Sequence, residues 1–193
     1  DWVAKADSES LLNLAISIDA YPVAGNSALF KTSRNWLLRE LKQQERFLSS
    51  FAQVALVFDT PLNFLGGIRD RDTGVDVKKG GIFPIVHGVR VLAMQYQVAE
   101  TNTYRRIEAL VKLGVLPQIL GNELMESFSL LQWFRLAHHL NQQESGLGAK
   151  ELNNDLDLST MDRLDKDLLR QSFQVVKDFK KHLSLRYRLG MGL

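Results

Sequence analysis

The segment with the most chemical content is Asp76-Val77-Lys78-Lys79-Gly80-Gly81-Ile82-Phe83-Pro84. A strand ends in two lysines, two glycines follow, and a helix starts with Pro84 in its first turn, where a missing N–H costs nothing. Free backbone N–H groups at a helix start, beside two cations, favour an anion. Lys78, Lys79, Gly80 and Gly81 therefore read as a cradle for a nucleotide or a protein phosphate, and equally as a plain strand-to-helix turn with solvated lysines. On the helix that follows, His87 and Arg90 stand three residues apart and share one face. Further along, the apolar row Phe128 and Leu131 runs on into Arg135 and His138, which predicts a polar pair at inward positions. A buried arginine requires a partner, either a carboxylate such as Asp19 or Asp76 or a bound anion.

Other chemistries are excluded by residue type and spacing. None of the four histidines (His87, His138, His139, His182) has a glutamate three residues before it, so the Glu-x-x-His pairs of a di-iron bundle are absent. His138 and His139 are adjacent and point about 100° apart on a helix, which keeps them from sharing one ion. There is no Gly-x-Ser-x-Gly element and no cysteine, which removes the hydrolase elbow, thiolate metal sites, disulfides and thiol nucleophiles together. Asp70-Arg71-Asp72 has the spacing of a Mg²⁺-binding pair, but it falls where a turn is expected and aspartates are abundant in turns. No metal ligand and no catalytic residue is assigned to the chain.

Helices must position most of these residues. Met161, Leu164, Leu168, Val175, Phe179, Leu183 and Tyr187 recur at steps of three, four or seven, the buried face of a long helix that Ser159 and Asp162 open as an acidic capping box. Leu124, Phe128, Leu131 and Phe134 mark a second long helix, and Leu29 to Phe58 a third. A short helix runs from Ile107 to Leu113 and closes at Gly114; another spans Ser8 to Asp19 before Pro22 and Gly25. Ile82, Ile85, Val89, Leu92 and Tyr96 form the buried stripe of the helix after the glycines. Two short apolar runs, at 64–69 and 75–78, flank a polar turn and read as a β-hairpin, and residues 142–158 as a long loop. The expected fold class is mainly α, a helical bundle of about five to six helices with one short β-hairpin insertion, the whole of 1–193 forming one domain.

With 45% apolar and 24% charged residues the chain is an ordinary globular protein. Its net charge of +2 hides an asymmetry, since residues 171–193 carry Lys177, Lys180, Lys181, Arg186 and Arg188 against Asp178 alone. Those cations suit the C-terminal end of a helix dipole, and too few aromatics interleave with them to stack bases, so no nucleic-acid partner is expected. There is no run of about 18 apolar residues and no signal-peptide order at the start, so no membrane partner is expected and a cytoplasmic location is inferred. The start at Asp1-Trp2, without methionine, suggests a piece of a longer protein.

Six segments carry a resemblance. Leu11 to Asp19, Pro22-Val23-Ala24-Gly25, Phe64-Leu65-Gly66-Gly67, Asp76 to Arg90, Asn102-Thr103 and Arg135-Leu136-Ala137-His138, in this order, resemble the C-terminal substrate-binding domain of bacterial signal-transduction nucleotidyltransferases. The likeness covers residues 2–185 and extends distantly to PII uridylyltransferase and glutamine synthetase adenylyltransferase. It implies a catalytic domain of polymerase-β type upstream in the same polypeptide, often behind cyclic-nucleotide-binding and CBS domains. The chain would then be a helical accessory domain that helps bind nucleotide or a protein acceptor. Lys78, Lys79, Gly80 and Gly81 would form its anion cradle, His87, Arg90, Arg135 and His138 its polar contacts, and Asp19 an acidic partner. Mg²⁺ and a nucleoside triphosphate are expected in the full-length protein. The Gly-Ser element and strand-borne Asp-x-Asp of that superfamily are absent here, so catalysis would reside upstream. Two positions depart from the pattern: Tyr21 replaces a frequent arginine and His139 a frequent glutamine. The alternative is a non-catalytic protein-interaction or sensor module whose polar residues are structural.

Overall fold

The structure is a computed structural model that describes residues 8–69 and 74–190. Among these residues the chain forms α1 (Ser8–Ile18), α2 (Ser27–Lys42), α3 (Glu45–Val54), β1 (Val75–Asp76), a π-helical turn (Lys78–Ile82), α4 (Phe83–Gln95), α5 (Thr103–Lys112), α6 (Gln118–Glu144), β2 (Asp155–Leu156), a 3₁₀ turn (Leu158–Thr160) and α7 (Arg163–Arg186). The fold is mainly helical with one small two-stranded antiparallel sheet, as the periodicity predicts. The Asp70-Arg71-Asp72 pair lies outside the described residues.

The chain divides into two compact units, one of residues 1–55, 86–118 and 182–193, the other of 56–85 and 119–181. In the first, Leu14, Ile18, Leu41, Phe47, Phe51, Val89, Leu92, Ile107, Leu110 and Leu183 are buried. In the second, Val75, Val77, Ile85, Leu124, Leu131, Leu156, Leu169, Phe173, Val176 and Phe179 are.

Several elements differ from the sequence expectation, each for a local reason. The strand at Val75–Asp76 is where it was expected, but its partner is Asp155–Leu156, inside the segment read as a loop, in the register Val75↔Leu156 and Asp76↔Asp155. The expected first arm instead folds on itself: Leu62 bridges Ile68, and Asn63 closes the turn through its N–H to the Gly67 carbonyl (2.8 Å) and its Oδ1 from the Gly67 N–H (2.9 Å). The single helix expected over Leu29 to Phe58 is two. The N–H groups of Gln43 and Gln44 reach back only three residues, to Glu40 (3.4 Å) and Leu41 (3.1 Å), and Gln44 at φ −97°, ψ 71° leaves helical space before α3 begins.

The cap of α7 is also shifted. Asp157 caps the 3₁₀ turn by accepting from Ser159 N–H (2.8 Å), and Asp162 is itself the α7 cap, accepting from Asp165 N–H (2.8 Å). Along α7 the buried row is Leu169, Phe173, Val176, Phe179, Leu183 and Tyr187, while Leu164 is exposed. The step of seven from Leu168 to Val175 skips the residues between them, which set the buried face.

Candidate functional site

Asp19, His87 and Arg90 belong to the first unit, where they meet a second arginine, Arg106. Asp19 follows the last residue of α1, and its Oδ2 accepts from both Nε (3.0 Å) and Nη2 of Arg90 on α4. Its Oδ1 accepts from Nη2 of Arg106 on α5 (2.7 Å). Arg106 is almost wholly buried and also donates through Nε to the carbonyl of Glu100 (2.7 Å). Burial alone would push the Asp19 carboxyl up, but the Arg90 hydrogen bond and the Arg106 and Arg90 charges together outweigh it and hold the group below the usual range.

His87 is stacked on Phe51, ring centres 4.3 Å apart, and its Nε2 lies 2.8 Å from the Phe51 carbonyl. A carbonyl only accepts, so Nε2 carries the proton and Nδ1 is left to accept from Arg90 Nη1 (3.4 Å). Burial, and secondarily the Arg90 charge, hold the imidazole down at about 4, against the pull of the Phe51 carbonyl and Asp19. His87 is thus a neutral support that orients Arg90 against Asp19. Arg34 adds a further cation near the carboxylate, its Nη2 donating to the Ile18 carbonyl (3.1 Å).

The lysine and glycine element lies in the second unit. From β1 the chain enters a helix at Val77 and widens at once into the π-helical turn Lys78–Ile82, with Phe83 N–H bonded to the Lys78 carbonyl. Pro84 accounts for this winding: it donates nothing, and its ring excludes the carbonyl four residues back from an ordinary helical bond. Asp76 supplies the negative charge that the helix start attracts, its Oδ1 accepting from Lys79 N–H (2.8 Å) while Oδ2 faces Lys79 Nζ at 3.6 Å. The close approach that the two glycines allow is to protein. A Cβ on Gly80 would stand 2.6 Å from Pro61 Cδ, and one on Gly81 2.8 Å from Leu131 Cδ1. Lys78 and Lys79 remain exposed.

Beside this turn is a cleft of about 250 Å³ lined by Asp59, Pro61, Arg69, Asp76, Lys79, Gly80 and Asp155 among others. Its walls are fixed by short contacts: Arg69 donates to the Thr60 carbonyl (3.1 Å) and faces Asp59 (3.8 Å), and Lys79 Nζ lies over the Phe58 ring at 5.9 Å. Lys180, whose ammonium burial pulls down against the attraction of Asp59, donates to the Phe58 carbonyl (2.7 Å). Two cations and three carboxylates therefore face one small space, suited to a ligand with both anionic and hydroxyl or amine groups.

Arg135 and His138, on α6, are half-buried and not in the inward row, which continues through Phe134. The partner of Arg135 is neither Asp19 nor Asp76 but the neutral Oδ1 of Asn154 (2.7 Å). His138 sits with Asn153 Oδ1 (3.1 Å) and Gln142 Nε2 (2.9 Å). Together these contacts hold the 153–154 backbone where it leads into β2, and the Asn154 carbonyl accepts from Val77 N–H (3.1 Å).

A family model described as the putative nucleotidyltransferase substrate binding domain matches residues 45–187, about three quarters of the chain. The chain belongs to this family. No curated protein and no solved structure matches it. In this substrate-binding domain the matched span holds every predicted site residue except Asp19. Arg69, Asp59 and Asp155 were not singled out from sequence, and neither was Arg106. For Arg106 a signal existed, since it stands directly before the buried Ile107 and four residues before the buried Leu110, at the edge of the apolar face of α5. Among the described residues no three His, Asp or Glu side chains are gathered to hold a metal ion, and no helix is long and apolar enough to cross a membrane.

Proposed function

We propose that this chain is the accessory substrate-binding domain of a bacterial signal-transduction nucleotidyltransferase, working beside a polymerase-β-type catalytic domain upstream in the same polypeptide. Family membership supports the substrate-binding role. The observation that carries the assignment of a place is the cleft beside the π-helical turn, where Lys79 and Arg69 face Asp59, Asp76 and Asp155. The two cations suit phosphoryl oxygens, and the carboxylates suit ribose hydroxyls or the amine groups of a protein acceptor. Lys78 adds charge at the rim. The neighbouring contacts of Arg135 and His138 hold the Asn153–Asn154 segment and so act as positioning residues for the β1 and β2 wall. His87, Arg90 and Asp19 would set the first unit's polar interior in the same supporting sense.

Mg²⁺ and the nucleoside triphosphate belong to the upstream domain in this reading. The upstream domain would share its chain with cyclic-nucleotide-binding and CBS domains that carry the regulatory signal, and the protein would act in the cytoplasm. The test is to exchange Lys79 and Arg69 for alanine in the protein containing both domains. KM for nucleotide or acceptor should then rise while kcat is kept, and unchanged KM for both substrates would reject the assignment.

A further inference from the structure

A second cleft, also of about 250 Å³, lies within the first unit and is lined by Glu45, Ser49, Gln95, Arg186, Tyr187 and Arg188 among others. Gln95 Oε1 accepts from Arg186 Nε (3.2 Å) and from the Tyr187 hydroxyl (2.9 Å), and the Arg186 guanidinium lies 4.9 Å from the centre of the Tyr96 ring. The plane of this guanidinium is fixed by those contacts. Neither Arg186 nor Arg188 forms an ion pair among the described residues.

Arg188 adds an independent observation. The Leu189 N–H bonds to the Ser184 carbonyl (2.9 Å), which closes α7 in a Schellman turn and places Arg188 at its left-handed position, with φ +52°. Glycine is the usual occupant there, because a Cβ is disfavoured at positive φ. The turn thus sets Arg188 on the rim of a cleft that already holds a second fixed guanidinium, and brings two cations to one space.

We propose that this cleft binds a phosphoryl group, with Arg186 and Arg188 as its donors. Against the single carboxylate of Glu45 the two guanidiniums leave one positive charge in excess. Their donors outnumber what a planar carboxylate accepts, whereas a tetrahedral phosphoryl group offers three oxygens. The same phosphoryl chemistry is carried by free phosphate and by a nucleotide, so both are used as probes. This site also gives the cationic C-terminal segment a role beyond complementing its helix dipole.

The experiment is calorimetric titration of the purified 193-residue chain with inorganic phosphate and, separately, with ATP. Saturable binding of at least one probe is expected, weakened about tenfold by Arg188→Gly and by Arg186→Gln, the effect of losing one charge-assisted contact. Arg188→Gly should at the same time leave Tm unchanged or higher, because glycine fits the left-handed position, so lost binding cannot be ascribed to lost folding. Lys177→Ala, which removes an exposed cation elsewhere on α7, should bind as wild type does. Phosphate binding identifies a free or monoester phosphoryl group as sufficient, and ATP binding alone identifies a polyphosphate. The absence of saturable binding to both probes, wild-type affinity in Arg188→Gly, or equal weakening in Lys177→Ala would overturn the proposal.

Discussion

Asp19 holds two guanidiniums, one of them almost wholly buried, and each would lose its charge partner if the carboxylate were removed. Asp19→Asn should therefore destabilise the fold by about 3 kcal/mol, the cost of leaving a buried charge without its counterion, as read by urea denaturation. The His87 imidazole makes a separate pH prediction. Its folded value of about 4 lies below the ordinary 6.5, so between these values the unfolded chain binds the extra proton. Stability from this group is complete above pH 6.5 and is lost as pH falls toward 4, by about 3 kcal/mol in all. The Asp19 carboxyl, also lowered, loses its contribution only as pH falls through its folded value below 3.8, so the two windows are distinct. Thermal unfolding followed from pH 7 to pH 4.5 should show Tm falling, and His87→Gln should flatten that profile. An unchanged slope in the variant would assign the pH dependence elsewhere.

At the scale of the element, the π-helical turn is where sequence and structure meet most closely. The paired glycines are needed by Pro61, Leu131 and Phe173, which occupy the space a side chain would take. Gly81→Ala should cost about 1–3 kcal/mol, since Leu131 and Phe173 are packed core atoms with little room to yield, and chemical denaturation measures it. Lys79→Ala, by contrast, should change stability by no more than about 0.5 kcal/mol because the side chain is exposed. The sequence made the existence of each long helix legible through its apolar period, together with the strand at Val75 and the helix stop at Gly114. It did not reveal the partner of that strand, because Asp155–Leu156 is only two residues long and sits among Asn and Asp residues that read as loop. Nor did it mark the break at Gln43–Gln44, which no glycine or proline announces. The polar site was legible in part: Lys79 and Gly80 do line a cleft, whereas the partners Arg106 for Asp19 and Asn154 for Arg135 are long-range contacts that spacing along the chain does not encode.

At the scale of the whole molecule, the sequence contains neither the Gly-Ser element nor the strand-borne Asp-x-Asp pair that nucleotidyl transfer in the resembled superfamily requires. The isolated chain should accordingly incorporate no labelled nucleotide into any protein acceptor when given Mg²⁺ and a triphosphate, and should do so once joined to the catalytic domain proposed upstream. In that longer protein the decisive measurement is transfer kinetics of the Lys78→Ala, Lys79→Ala double variant across a salt series. The predicted result is a raised KM for triphosphate or for acceptor with kcat retained, the difference widening at low salt where the Debye length grows to about 30 Å at 0.01 M. Kinetic constants equal to wild type for both substrates at every salt concentration would contradict a substrate-binding role for this element.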